Sequence, residues 1–301
     1  MNLLGVACGR KMGNSEILAK EALMGAEEVS GVGVELLRLH DLTIKPCSGC
    51  ESCVRDVING GMGECVIKDD GMPFFLEKFS GCDAIIYSYP VYYLSPPGML
   101  RSVNDRMVGY NYKAAKDGTK RRVGGLIAVG GTDWVTLGLP LLLTNLQSSQ
   151  VGVVDHLQAV FSARPAQVLL DDKVMARART LGRNVAEAWF KKDSEVKFMG
   201  DEPGHCPVCH TSVLLVPKKG PVECAICGSR GILKVEGDTY SIAFYEEDVK
   251  KSRWSKEGLL EHVWEVGKVH EKAERGKDVI KNKLEKYKSY NPIIKTPPKV
   301  S

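Results

Sequence analysis

The sequence predicts an α/β protein in which helices cover both faces of a doubly wound, five-stranded parallel sheet. Over about the first 190 residues, short apolar runs alternate with stretches of helical period, which is the pattern of parallel strands joined by crossover helices. The 301-residue chain is 44% hydrophobic and 26% charged. This composition excludes disordered, fibrous and collagen-like proteins, and the length allows a domain with a substantial core.

The predicted elements follow one another in regular order. Leu3–Cys8 is a short apolar strand, and Asn14–Ser30 follows it as a helix with one apolar face. The other strands are Val34–Leu39, Asp83–Tyr89, Val123–Val129 and Val151–Val160. The other helices are Pro97–Gly109, Leu137–Gln150 and Lys173–Lys192, with Pro97 in a first turn and Asp171 and Asp172 as caps. Five strands in this order suit a flavodoxin-like sheet.

Composition divides the chain into three predicted domains. They are residues 1–198 with the sheet and a Cys-rich segment at 41–82, residues 199–248 with a small four-cysteine ribbon, and residues 249–301 with a basic amphipathic helix and an extended tail. The helix is predicted over Ser255–Lys288, and the tail begins at Asn291. The last domain holds 14 Lys and Arg against 7 Asp and Glu. Its apolar stripe favours a dimer or domain contact over nucleic-acid binding.

The first strand-to-helix junction predicts a phosphate-binding loop. Two glycines allow the backbone to turn, two polar side chains offer hydrogen-bond donors, and two basic side chains add positive charge. The next helix directs its N–H groups and positive dipole end to the same place. These residues are Gly9, Arg10, Lys11, Gly13, Asn14 and Ser15. The spacing matches neither a dinucleotide-binding motif nor a P-loop, and an ordinary turn with a helix cap is the alternative.

Two further loops lie at the carboxyl ends of predicted strands, where parallel sheets bind ligands. Pro90, Val91, Tyr92 and Tyr93 form a rigid, apolar wall suited to a flat ring system. The glycines of the other loop allow the backbone to approach a ligand closely. That loop is Gly130, Gly131 and Thr132. A packed surface loop and a plain glycine turn are the respective alternatives.

The first cysteine group fits the coordination of a 4Fe–4S cluster. Cys47, Cys50 and Cys53 form two consecutive Cys-x-x-Cys steps, and Cys65 supplies a fourth thiol. A reactive thiol or disulfide, or plain unligated thiols, are the alternatives. A zinc site is less favoured here.

The second cysteine group predicts one metal ion. The pairs Cys206/Cys209 and Cys224/Cys227 have 14 residues between them, close to the spacing of four-cysteine zinc sites. Rubredoxin-type iron is bound by the same pair of Cys-x-x-Cys turns, so the predicted metal is either zinc or iron. Four cysteines complete a tetrahedron without His205 and His210. The isolated Cys8 and Cys82 are predicted to be small buried hydrophobes.

These segments make the chain resemble the NADPH-dependent FMN reductase family, and the first cysteine group makes it similar to the iron–sulfur flavoprotein branch. The resemblance covers residues 1–192 and rests on loops 9–15, 90–93 (with Asn104–Arg106 downstream) and 130–131. It implies noncovalent FMN, with the phosphate on the first loop and the ring against the other two.

Two features depart from the family pattern. Cys8 stands where the family usually has Ser, which removes one hydroxyl donor, and 11 residues separate Cys53 from Cys65, a longer gap than in the iron–sulfur branch. Proteins of that branch are homo-oligomers in which cluster and flavin approach across subunits. The resemblance therefore implies a homodimer or homotetramer.

The sequence thus predicts an FMN-dependent oxidoreductase that couples FMN to a 4Fe–4S cluster, with NAD(P)H or a redox protein such as ferredoxin as donor. Electron transfer needs no catalytic acid or base, so no catalytic residue is assigned. One alternative is an NAD(P)H-dependent FMN or quinone reductase without a cluster. Another is a non-enzymatic electron carrier or zinc-ribbon scaffold. No apolar run approaches the ~18 residues of a membrane span and the N-terminus lacks a signal peptide, so a cytoplasmic location is expected.

Overall fold

The computed structural model describes residues 1–201, 204–290 and 292. Its contacts divide the chain into two compact units, Met1–Leu260 and Glu261–Ser301. The finer division at residues 198 and 248 stays a prediction. The extended tail that the sequence predicts from Asn291 lies outside the described residues, apart from Pro292.

Five parallel strands form the main sheet in the order β2-β1-β3-β4-β5, which confirms the predicted flavodoxin-like topology. They are β1 (Asn2–Ala7), β2 (Gly33–Arg38), β3 (Ala84–Pro90), β4 (Arg122–Val129) and β5 (Val151–Ala159). The register pairs Leu4 with Ile85 and Ile86 with Gly125. The strand order reverses at β1 and β3, so their carboxyl ends flank the crevice where such sheets bind ligands.

Helices cover both faces of this sheet. In chain order, the helices of the described residues are α1 (Asn14–Glu27), α2 (Ser52–Ile58), α3 (Met72–Gly81), α4 (Gly98–Arg106), α5 (Val108–Asp117), α6 (Gly138–Ser148), α7 (Asp172–Phe190), α8 (Glu246–Lys250), α9 (Lys256–Arg275) and α10 (Lys277–Ser289). On β3, Ile85 packs in a core with α3, α4 and α6, whereas Ile86 packs in a second core with α1 and α7. Burial on both faces explains why the central strands β1, β3 and β4 are mostly apolar runs.

Three predicted elements differ from the observed ones. The helix predicted over 97–109 is two helices, because the Met107 N–H donates to the Asn104 carbonyl and the tighter turn ends α4. The segment 41–82, predicted as a long loop, contains α2 and α3. The helix predicted over 255–288 is interrupted at Gly276, where glycine's low helix propensity separates α9 from α10.

A four-stranded antiparallel sheet carries the second cysteine group, and we call residues 204–248 the ribbon. Its strands, in spatial order, are β6 (Leu214–Leu215), β7 (Val222–Cys224), β8 (Arg230–Glu236) and β9 (Thr239–Phe244). The ribbon packs on the parallel sheet's β5 side, where Gln147 Nε2 of α6 donates to the Val208 carbonyl at 3.2 Å. Just before the ribbon, the Met199 N–H donates to the Val154 carbonyl of β5 at 2.7 Å.

The second unit contains most of α9 and all of α10. On α10, Ile280, Leu284 and Tyr287 are exposed at helical spacing among lysines. Throughout the described part of the chain, no helix combines the length and apolar character needed to cross a membrane.

Candidate functional site

A cleft of about 270 Å³ lies at the carboxyl ends of the parallel strands. It brings together residues from all three predicted loops, namely Gly9, Arg10, Gly13, Asn14, Ser15, Pro90, Val91, Tyr92 and Gly131. Val129, Ser162 and Ala163 complete its lining. Lys11, Tyr93, Gly130 and Thr132 belong to the same loops but are not among the residues that line the cleft.

The loop over residues 9–15 is held in shape by its own hydrogen bonds. The Gly13 N–H donates to the Arg10 carbonyl at 2.9 Å, and the Met12 N–H donates to Glu16 Oε2 at 2.8 Å. Burial opposes ionisation of Glu16, but hydrogen bonds from Lys20 and the Met12 N–H outweigh it and lower the pKa of Glu16. The loop is therefore hydrogen-bonded to the charged carboxylate of Glu16, in the first turn of α1.

Asn14 has a structural partner in the loop after β5. Its side-chain amide donates to the carbonyls of Ser162 at 2.6 Å and Arg164 at 2.9 Å, and its Oδ1 accepts the Val168 N–H at 3.2 Å. The sequence predicts Asn14 as a donor to phosphate. In the structure, its side chain instead fixes the loop that forms the far wall of the cleft.

The loop after β3 contains a strained two-residue turn. Tyr92 and Ser95 exchange backbone hydrogen bonds of 2.9 and 3.1 Å, and the residues between them, Tyr93 and Leu94, have φ values of 48° and 66°. Such turns usually contain Gly or Asn, because other residues are strained at positive φ. The turn leaves the Tyr93 side chain fully exposed beside the cleft. Strain of this kind is common where a ligand or partner is contacted.

The loop after β4 is tied to β5 and to the loop that follows it. The Gly130 N–H donates to the Ala159 carbonyl at 2.8 Å, and the Gly130 carbonyl accepts the Ser162 N–H at 3.1 Å. A Cβ on Gly130 would lie 2.1 Å from Val135 Cγ1, so this position requires glycine. Gly131 then lines the cleft.

Sequence reasoning missed three residues near the cleft. Ser162 and Ala163 line it, and His40 Nδ1 accepts the Gly9 N–H at 3.2 Å. All three follow strands at the same edge of the sheet. No glycine cluster or charge pattern marks them, and strand position is the one sequence signal that points to them.

The first cysteine group lies in one segment around α2. Cys47 and Cys50 are exposed, whereas Cys53 and Cys65 are partly buried. Burial, followed by the charges of Cys65 and Cys47, raises the pKa of Cys53, so these three thiols are electrostatic neighbours. Hydrogen bonds from Ser52 and Ser48 lower the pKa of Cys50 to about 7. Among the described residues, only the second cysteine group has its ligand atoms gathered closely enough to form a metal site. The four thiols of the first group share one segment, and their assignment to an iron–sulfur cluster stays a prediction from their spacing.

The two ends of this cysteine segment are joined by Arg106. Its guanidinium donates to the Lys45 carbonyl at 3.3 Å and to the Ile67 carbonyl at 2.6 Å, and it forms an ion pair with Asp70. Asp70 in turn accepts the Lys45 N–H at 2.8 Å. Lys45 and Ile67 lie two residues outside Cys47 and Cys65. Arg106 therefore holds the two ends of the cysteine segment together.

The second cysteine group is preorganised for one ion. All four Sγ atoms of Cys206, Cys209, Cys224 and Cys227 lie within 4.8 Å of one another and are buried. The Sγ separations are 3.3 Å for Cys206 and Cys227 and for Cys209 and Cys224. Hydrogen bonds from Cys206 and Cys209 lower the pKa of Cys224. This closed, all-sulfur arrangement fits zinc or iron in a structural site.

His205 and His210 are not part of the four-sulfur group. The His210 ring stacks on Phe198, with centroids 4.0 Å apart and planes inclined by 16°. Burial lowers the pKa of His210, which favours its neutral form. The structure thus gives His210 a packing role beside the metal site.

Comparisons with known proteins identify the family of the chain. A family model described as NADPH-dependent FMN reductase matches residues 1–167. Flavone synthase cfoJ of Aspergillus candidus is 28% identical over 289 residues, which cover 88% of each chain. An iron–sulfur flavoprotein of Archaeoglobus fulgidus is 30% identical over 187 residues, or 61% of this chain and 77% of that protein.

A solved flavone reductase structure shares the fold over nearly the whole length. Its TM-score is 0.80, its sequence is 24% identical, and the match covers 99% of this chain and 100% of that one. The shared architecture therefore includes the ribbon as well as the parallel sheet.

Proposed function

This chain belongs to the NADPH-dependent FMN reductase family, and from that premise we propose that it is a flavin oxidoreductase in which FMN exchanges electrons with a 4Fe–4S cluster. Bound FMN supplies conversion between two-electron and one-electron transfer. A nearby cluster passes electrons singly.

We assign the cleft at the strand ends to FMN. The phosphate binds at the loop over residues 9–15, where Arg10 and the N-terminus of α1 offer complementary charge. The ring lies between Pro90–Tyr93 and Gly130–Thr132. Two features support this assignment. The apolar side chain of Val91 lines the cleft, and Gly130, which has no Cβ, lets Val135 pack against the loop after β4 next to Gly131 of the lining.

We assign Cys47, Cys50, Cys53 and Cys65 as cluster ligands. The observation that carries the coupling to FMN is the position of α4. This helix follows the ring-side loop at Gly98 and ends at Arg106, which closes the base of the cysteine segment. Its nine residues span about 13 Å at 1.5 Å per residue. One rigid element thus connects the two redox sites.

NAD(P)H is the favoured donor because of the family match, and a ferredoxin-type protein is the alternative donor. Outer-sphere electron transfer requires no side chain that gains or loses a proton, so no residue is given that role. The chain's own contribution is to bind the flavin phosphate, orient the ring and hold the thiols.

We propose that the four buried cysteines bind one structural zinc or rubredoxin-type iron. We also propose a homodimer or homotetramer, since exposed Tyr93, Trp134 and Phe161 surround the flavin cleft with apolar surface that a second copy would cover. We propose a cytoplasmic location as well, because reducing compartments keep cysteine ligands from pairing in disulfides.

The test is the absorbance spectrum and iron content of protein purified without oxygen. We expect flavin bands, a broad shoulder from the cluster, and about four irons per chain beyond any ribbon iron. Cys50→Ser should lose the shoulder and keep the flavin, whereas Cys82→Ser, a buried thiol outside both groups, should keep both. Flavin bands alone in the native protein would contradict the coupling and support a reductase without a cluster.

A further inference from the structure

A second cavity, of about 600 Å³, lies between the ribbon and the parallel sheet. β5 and the start of α6 form one side, and His210–Val213 of the ribbon form the other. We propose that this cavity binds an uncharged, planar organic molecule that accepts electrons from the flavin. The inference rests on the proposed FMN site and names the class of acceptor that this site serves.

The cavity is separated from the flavin cleft by a thin wall. Gly131 lines the cleft, whereas Asp133 and Val135 of the same loop line the cavity. The wall is equally thin at the start of α6. Val91 lines the cleft and packs closely on Gly138, where an added Cβ would lie 2.7 Å from Val91 Cγ2. Leu139, which follows Gly138, lines the cavity.

The lining of the cavity favours an uncharged ligand. Its floor is apolar, formed by Leu139, Pro140, Leu143, Leu157, Val160 and Val213. No Lys or Arg is among the residues that line it, so a phosphate-bearing dinucleotide would find no cationic partner there. Of the two carboxylates in the lining, Asp201 is paired with Arg177 at 2.6 Å and Asp133 is exposed to solvent. Gln158, Thr211 and Ser212 offer neutral hydrogen-bonding groups.

The size of the cavity suits a molecule of two or three rings, since small-molecule sites usually measure about 300–1,000 Å³. His210, which is stacked on Phe198, adds the edge or face of a ring to the lining. A quinone bound here would become a hydroquinone by gaining two electrons and two protons. Reduced FMN held in the neighbouring cleft would supply the two electrons, the nicotinamide donor would restore them, and solvent would complete the proton balance.

This arrangement gives the ribbon a function. The wall formed by His210–Val213 begins immediately after Cys209, so the bound metal fixes the position of that wall. The ribbon thus shapes an acceptor site and does not need to carry electrons itself.

The test uses the full-length, FMN-loaded oxidised protein, with menadione as the uncharged probe in equilibrium dialysis. Ser212→Trp fills the cavity from the ribbon side and Gln158→Trp from β5, and both side chains are in exposed positions. Each should weaken menadione binding about tenfold or more, which corresponds to about 1.4 kcal/mol. Leu215→Trp, an exposed ribbon position outside the lining, is the matched control and should bind as the native protein does.

FMN content, measured by absorbance on the same samples, reports on the proposed flavin site separately. Native FMN content without menadione binding would overturn the acceptor site while leaving the flavin assignment intact. Equal menadione affinity in the native protein and both cavity variants would also overturn it. Loss of flavin from the native protein would contradict the proposed function itself.

Discussion

Arg106 and Asp70 form an ion pair beneath the cysteine segment, and neither side chain has any solvent exposure. Burial opposes the charge on Asp70, but hydrogen bonds from the N–H groups of Lys45 and Met72 and from Arg106 outweigh it and lower the pKa of Asp70. The pair ties together both ends of the segment and the start of α3. It therefore acts as a positioning contact for the proposed cluster ligands.

Removing one partner of this pair should destabilise the protein and empty the cluster site. Arg106→Met leaves the Asp70 carboxylate buried without its cation, which costs about 3–5 kcal/mol. Urea unfolding and iron content measure the two effects. Arg101→Met is the control on the same helix, because Arg101 is half-exposed and lies 3.8 Å from Asp105. It should change stability by less than about 0.5 kcal/mol. Equal iron content in the two variants would contradict the positioning role.

The contribution of Asp70 should depend on pH in a defined direction. A carboxyl group with a lowered pKa stabilises the folded state fully above its unfolded-state pKa of about 3.9. The stabilisation is lost as the pH falls from there through the lower pKa of the folded state. The difference in unfolding free energy between native protein and Asp70→Asn should therefore be constant from pH 7 to 5 and shrink below pH 4. A difference that already shrinks between pH 7 and 5 would argue against a charged Asp70.

Reversing charge at the phosphate loop should weaken FMN binding. Arg10→Glu with Ser15→Asp removes a cation and adds anions at the N-terminus of α1. A charged hydrogen bond is worth about 1.5–3 kcal/mol, so affinity should fall tenfold or more in a flavin fluorescence titration. Lys218→Glu with Ser241→Asp makes the same change in net charge at exposed ribbon positions and should bind FMN normally. Native affinity in the first variant would place the phosphate elsewhere.

The ribbon should lose its fold when its metal is removed. In so small a module, metal-binding energy is folding energy, so Cys209→Ser should reduce metal content by about one ion per chain and expose residues 204–248 to protease. Cys82→Ser should keep the metal. A metal-free ribbon that still resists protease would show that the site is not structural.

Most of the fold follows from the sequence because the central strands of a covered parallel sheet are mostly apolar runs, and each cysteine group is recognisable by its spacing. The sequence did not predict the contacts that individual side chains make. Asn14 belongs to the predicted loop, yet its amide is bound to the Ser162 and Arg164 carbonyls. Arg106, part of a motif associated with the flavin loops, faces the cysteine segment instead. Both outcomes depend on contacts between residues far apart in sequence, which local pattern does not encode.

Electron transfer across subunits can be tested with two complementary variants. Cys50→Ser should lose the cluster and keep FMN, and the Arg10→Glu, Ser15→Asp chain should do the reverse. Coexpressed, they form mixed oligomers in which some intact flavin and cluster sites face each other. Recovery of cluster-dependent activity is the expected result. Mixed oligomers without recovery would confine the transfer to one chain, and a monomeric native protein would exclude it.

Reduction of the cluster through the flavin is the most direct test of the coupling. Photoreduction of the FMN-loaded protein without oxygen, followed by electron paramagnetic resonance, reports the flavin and the cluster in one sample. We expect a reduced-cluster signal in native protein that is absent from Cys50→Ser and that becomes much slower to form in the FMN-depleted Arg10→Glu, Ser15→Asp variant. A native protein whose flavin is fully reduced without any cluster signal would contradict the account.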